Sequence, residues 1–149
     1  FFNAKPETQM EFDLGLAVRE DSENPVYYVQ YAYARICTLL KNLASEGYAV
    51  PKAAEADLSV LNGEEEKALI KQLAQYPAVV LLAARDYDPS FINRYLSDLA
   101  AAFHKFYNAC RIKGEAENVL LARLKLADTA RAVLKNGMTL IGCSAPEKM

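Results

Sequence analysis

Cysteine and histidine are scarce in this chain, whose 149 residues include three cysteines and one histidine. Cys37, Cys110 and Cys143 are far apart, form no C-x-x-C and have only His104 as an imidazole partner. Neither a zinc site nor a disulfide framework is supported, and buried, reduced thiols are expected. No uninterrupted apolar run approaches the roughly 20 residues that span a bilayer, which excludes a membrane-spanning helix. The opening Phe1-Phe2-Asn3 lacks the basic, apolar, cleavable order of a signal peptide, so a soluble, cytoplasmic protein is expected. A strong excess of one charge is also missing: the net charge is −2, which argues against a nonspecific nucleic-acid binder. The distribution is uneven, however. From Arg94 to Lys135 there are eight Lys/Arg against four Asp/Glu, so that stretch carries +4 and the remainder −6. A polyanion could dock on that half.

What is present is ordinary globular composition, 52% hydrophobic and 24% charged, fitting one domain with a single core. The chain starts without methionine, on two phenylalanines, and is expected to be cut from a longer polypeptide. Nothing alternates long enough to make a strand, and helix signals dominate, so an all-α helical bundle is expected. The first long helix should be capped by Asn24, carry Pro25 at its first position and stop at Gly47. Glu64-Glu65-Glu66 introduces a helix that ends near Gln75, and Pro77 opens a short apolar one from Ala78 to Arg85. Asp88-Pro89 begins a long helix to about Arg111. After the break at Gly114 a last helix, about Glu117 to Asn136, should be closed by Gly137.

The segment "NPVYYVQYAYAR", Asn24 to Arg35, carries four tyrosines on the first helix. Stepping 100° per residue from Tyr27 puts Val29, Ala32, Tyr33, Ile36, Leu39, Leu40 and Leu43 on one side, the core face. Asn24, Tyr27, Tyr28, Tyr31, Arg35, Thr38 and Asn42 share a sector of about 100° on the opposite side. That stripe has two readings. Another helix or a neighbouring domain covers it, which suits tyrosine in a half-wet layer. Alternatively it is a platform on which unstacked RNA bases lie, since aromatic rings and arginine planes stack on splayed single strands. The helix from Pro89 has a core ridge of Ile92, Leu96, Leu99, Phe103, Phe106 and Cys110, with His104, Tyr107 and Arg111 on an adjoining flank. No nucleophile or acid accompanies His104 in sequence, and no catalytic residue is assigned. Arg123 falls within the apolar arc of the last helix, so a buried ion pair is expected there.

Three ordered blocks resemble a known family. "SENPVYYVQYAYARI" resembles N-P-V-Y-Y-V-Q-Y-A-H-A-R-I, "YLSDLAAAFHKFYNACRI" resembles Y-L-x-x-L-A-x-x-F-H-x-F-Y, and "LARLKLADTARAVLKNGMTLIGCSAPEKM" resembles a closing helix with an A-P-E-x-M end. The patterns that all three resemble are those of the C-terminal anticodon-binding (DALR) domain of arginyl-tRNA synthetases. The departure is Tyr33, where that family usually has histidine; it lies on the core face, so the change bears on packing rather than recognition. The resemblance implies residues 1–22 as the trailing segment of a catalytic region or linker and residues 23–149 as the DALR domain. It implies a fold of the class I synthetase anticodon-binding type and a parent enzyme that uses ATP and Mg2+ to attach arginine to its tRNA. The family's H-I-G-H and K-M-S-K-S motifs are absent, as are a P-loop and G-x-G-x-x-G, so this segment holds no cofactor and should be inactive alone.

The resemblance also implies that Tyr28, Tyr31, Arg35, Tyr107 and the terminal Met149 surround anticodon-loop bases. Helical spacing selects the first four independently, and adds Asn24 and Arg111. Every arginine anticodon shares a central C, so reading that base is expected. Arg35 and backbone N–H groups can donate to its ring edge, Tyr107 and Tyr31 can stack, and Tyr28 and Asn24 can hold the loop backbone. The tail's terminal carboxylate or carbonyls can accept from N4. The expected partners are arginine tRNA and the catalytic domain of the same chain, with no membrane or DNA role and a monomeric state. Self-association through Phe1, Phe2 and Phe12 stays open. So do two alternatives: an α-helical protein-docking module, and the anticodon domain of another class I synthetase.

Overall fold

The computed structural model describes residues 13–21 and 23–149. Most of the expected 1–22 segment, with Phe1, Phe2 and Phe12, therefore lies outside the described residues. Among the described residues six α-helices run in order: α1 (Leu14–Ala17), α2 (Pro25–Ser45), α3 (Glu64–Ala74), α4 (Tyr76–Asp86), α5 (Ser90–Ala109) and α6 (Glu117–Leu140). A single 3-10 turn, Leu58–Val60, interrupts the loop between α2 and α3, and no strand occurs among the described residues. The expected all-α bundle is the observed one.

Local chemistry sets the ends of α2. Oδ1 of Asn24 accepts from the N–H groups of Val26 and Tyr27, while Nδ2 donates to the carbonyls of Arg19 and Ala17 at 2.8 and 3.3 Å. One side chain thus satisfies orphan donors of α2 and ties down the chain leaving α1. At the other end Tyr48 N–H reaches back to Leu43 and Gly47 N–H to Ala44, with Gly47 at φ 93°. That paired closure needs a left-handed residue, which glycine adopts without a Cβ penalty.

The same closure ends α6, but not where expected. Cys143 N–H bonds to Met138 O, Gly142 N–H bonds to Thr139 O, and Gly142 has φ 70°. The stop signal is Gly142, and α6 runs straight through Gly137. Gly137 is there for proximity instead. It is buried against α5, and a Cβ on it would lie 2.5 Å from Cδ2 of Leu96.

α5 is the hub, packed on α2, α3, α4 and α6. Its Leu96, Leu99, Phe103 and Phe106 are essentially fully buried, together with Tyr33, Ile36 and Leu43 of α2 and Leu120, Leu124 and Leu134 of α6. Each such aliphatic or aromatic side chain contributes roughly 1.5–3 kcal/mol by leaving water. The expected core ridges of α2 and α5 are confirmed, apart from Leu39 and Leu40, which are half-buried. α5 ends at Ala109, because Cys110 is extended, and Arg111 therefore lies beyond the helix.

The expected ion pair of Arg123 is present and holds two elements. Its Nε lies 2.7 Å from Glu66, whose side chain is almost wholly buried. Glu66 also accepts from Gly63 N–H at 2.7 Å, closing the first turn of α3. Arg123 further donates to the carbonyl of Arg111, fixing the loop after α5.

Candidate nucleic-acid interface

The tyrosine stripe of α2 does not face solvent alone. Because Val29, Ala32, Tyr33 and Ile36 pull one side of α2 into the core, Tyr27, Tyr28, Tyr31 and Arg35 rise along the α5 side. There they meet His104 and Asn108, one turn apart on α5. These six residues line an open groove of about 380 Å³. That volume falls within the range of small-ligand sites, about 300–1,000 Å³.

Its walls are aromatic. The rings of Tyr27 and Tyr31 are nearly parallel, 9° apart with centroids at 6.5 Å. His104 sits 5.3 Å from Tyr28 and 5.9 Å from Tyr31, and rests on Phe103 at 5.8 Å. Tyr31 keeps 42% of its surface exposed, so a ring face remains open to a ligand. Arg35 lies over the ring of Tyr107 at 4.4 Å, and Tyr107 in turn packs on Phe103. A guanidinium held over a ring presents its plane in a fixed orientation.

Electrostatically the groove carries one guanidinium and otherwise neutral groups. Burial pushes the Tyr28 hydroxyl above its ordinary pKa. Burial also pushes His104 below the usual imidazole value, and the charge of Arg35 acts in the same direction. The Cys37 and Cys110 thiols are both raised by burial, which makes them poor nucleophiles. Among the described residues no group of three or more His, Cys, Asp or Glu is placed to hold a metal ion. Stacked rings, a planar cation and amide and imidazole edges are suited to holding a planar heterocycle.

The structure brings four of the sequence-selected residues together: Tyr28, Tyr31 and Arg35 line the groove, and Tyr107 supports Arg35. Asn24 sits at the head of α2 with its amide engaged in capping. Arg111 departs from the expected helical flank of His104 and Tyr107, since α5 has ended before it. Its side chain is exposed. Met149 is half-exposed at the tail, which is laid along α2 by Gln30 Nε2 donating to the carbonyl and hydroxyl of Ser144 at 2.9 and 3.0 Å. Neither Arg111 nor Met149 is among the groove-lining residues. Sequence reasoning put His104 on the flank with Tyr107 but gave it no chemistry, and overlooked Asn108. The available signal was their four-residue spacing on α5, but nothing local said which face of α5 meets the tyrosines.

Among the described residues no helix is long and apolar enough to cross a membrane. Comparison with known proteins agrees with the fold. A curated arginine-tRNA ligase of Acetivibrio thermocellus is 50% identical over the whole of this chain, and one of Ruminiclostridium cellulolyticum is 48% identical. This chain spans 27% of each, about a quarter of the length of the relatives it matches. The solved Thermus thermophilus arginyl-tRNA synthetase superposes with a TM-score of 0.83 at 30% identity, over 99% of this chain and 25% of that one. The family model described as the DALR anticodon binding domain matches residues 29–149. With the match running from the second turn of α2 to the tail, the chain belongs to the DALR anticodon binding domain family.

Proposed function

We propose that this chain is the anticodon-binding part of an arginine-tRNA ligase and that the α2–α5 groove reads the central C of the arginine anticodon loop. The observation that carries this reading is the convergence of Tyr27, Tyr28, Tyr31 and Arg35 with His104 and Asn108 on one open groove, in a chain of this family. Single-stranded bases are gripped by stacking on aromatic faces and by hydrogen bonds to their exposed edges, and the groove supplies both. Tyr31 and Tyr27 offer stacking faces. Arg35, steadied by Tyr107, donates to the ring edge of cytosine, while Tyr28 meets the loop backbone. Asn24 sets where α2 begins and hence the height of the tyrosines. Arg111, an exposed cation after α5, meets phosphate, and Met149 closes the site from the tail.

In this reading residues 1–22 lead out of the catalytic region of the same polypeptide, and residues 23–149 are the anticodon domain. ATP and Mg2+ serve the catalytic region, which attaches arginine to the tRNA, and no residue of this chain is assigned to them. The chain works as a monomer in the cytoplasm, with arginine tRNA as its partner and no membrane or DNA role.

The test is a titration with an arginine anticodon stem-loop and with the same loop carrying a central G, at low and moderate salt. Tighter, salt-sensitive binding of the C loop, lost on Tyr31→Ala, is expected, because phosphate contacts release counterions. Equal affinity for the two loops would refute base reading. Weak salt dependence would favour a protein-docking surface in its place.

A further inference from the structure

His104 is a half-buried titratable group in the middle of the groove, and the proposed function leaves it without a task. The charged or titratable groups that share the groove with it are Tyr27, Tyr28, Tyr31 and Arg35, all from α2. None is a carboxylate. With burial and Arg35 both disfavouring the imidazolium, the ring is neutral at pH 7, with one N–H donor and one lone pair.

Cytosine needs what the groove otherwise offers sparingly. Its N4 amine donates, and must find an acceptor once water is excluded. Arg35 has only donors. The acceptors among the lining residues are the Asn108 amide oxygen, tyrosine hydroxyls and the imidazole lone pair. We infer that His104 is a base-contacting residue: its ring, set between Tyr28 and Tyr31 and one turn from Asn108, accepts a hydrogen bond from the exocyclic amine of the cytosine lodged in the groove. This rests on the anticodon reading and specifies which side chain reads the amine.

The inference has a sign that separates it from simple charge attraction. Protonating His104 turns its acceptor into a donor and adds a second cation beside Arg35, so binding of a cytosine weakens as pH falls. If the imidazole only faced phosphates, acidification would strengthen binding.

The experiment measures affinity of the 149-residue chain for the C-containing stem-loop at pH 7.5 and 5.5 and fixed salt. Wild type, His104→Gln, His104→Phe and Tyr31→Ala are compared, with thermal melts to check that each variant folds. Wild type should lose affinity several-fold on acidification. His104→Gln keeps an acceptor but cannot titrate, so it should bind nearly as wild type at pH 7.5 and show a flat profile. His104→Phe keeps a ring without the acceptor and should bind about tenfold more weakly, the scale of one net hydrogen bond. A wild-type profile that is flat or rises on acidification, or a folded Phe variant that binds like wild type, overturns the role of His104. The anticodon reading would then still stand if Tyr31→Ala lost binding. Absence of wild-type binding at both pH values overturns the two together.

Discussion

Replacing Gly137 by alanine tests how closely α6 lies on α5, the contact that sets the far wall of the bundle. On an isolated helix the change would help, since alanine gains up to about 1 kcal/mol over glycine in a helix interior. Here the new Cβ would stand 2.5 Å from Cδ2 of Leu96, 3.2 Å from its Cγ and 3.3 Å from its Cδ1. Leu96 is 1% exposed and cannot swing into solvent. Forcing a methyl into a filled core typically costs about 1–3 kcal/mol, so with about 1 kcal/mol gained in helix propensity the balance is a net loss of up to about 2 kcal/mol. Urea denaturation followed by helical circular dichroism reads this as a lower midpoint at unchanged slope. The sign should reverse in a Leu96→Ala background. That substitution alone costs about 2–5 kcal/mol, but it removes the obstructing methyls, and Gly137→Ala then recovers up to about 1 kcal/mol. A double-mutant cycle reports the coupling directly. If Gly137→Ala raises the midpoint in the wild-type background, the close approach is not there and Gly137 is a plain interior glycine.

Arg123→Met strands the buried Glu66 carboxylate and should cost about 3–5 kcal/mol, whereas Arg123→Met with Glu66→Leu should cost much less; urea midpoints of the three variants decide. Tyr33→Phe should leave stability unchanged or raise it by about 1 kcal/mol, because the buried hydroxyl, though near Cys37 and Arg131, makes no hydrogen bond; a thermal melt checks it. Tyr31→Ala should weaken stem-loop binding by about tenfold or more, since a stacked base contributes about 1–3 kcal/mol, while the melting temperature stays near wild type because the side chain is 42% exposed; fluorescence titration and melts together separate the two. Because the pKa of His104 is lowered in the folded chain, its contribution to stability is complete above the unfolded value near 6.5 and is lost as pH falls through the folded value. Urea midpoints from pH 7.5 to 5 should therefore decline by a component that His104→Phe lacks.

The helices were legible because each announces itself locally. Asn24-Pro25 and Gly47 frame α2, and the core faces follow from apolar spacing. Arg123 was legible for a similar reason, as a charge within an apolar arc requires a partner. The failures share a different origin. Gly137 carries the composition of a helix stop, yet its role is set by Leu96 on another helix, and the true stop is Gly142 five residues on. The site divides the same way: the α2 half could be read from one helix, but His104 and Asn108 count only once α5 is laid against α2. Arg111 was placed on a helical flank because the pattern continues past Ala109, where the backbone turns extended at Cys110.

The groove has one wall on α2 and the other on α5, with α3 and α4 between them in sequence, and Ser144 returns to Gln30 across 114 residues. During synthesis α2 therefore leaves the ribosome with its four tyrosines unsupported, and no groove exists until α5 has followed and docked. A nascent or prematurely ended chain that lacks α5 carries the tyrosines but not His104, Asn108 or the Tyr107 that steadies Arg35. Such a product has no assembled site with which to compete against finished molecules for their ligand.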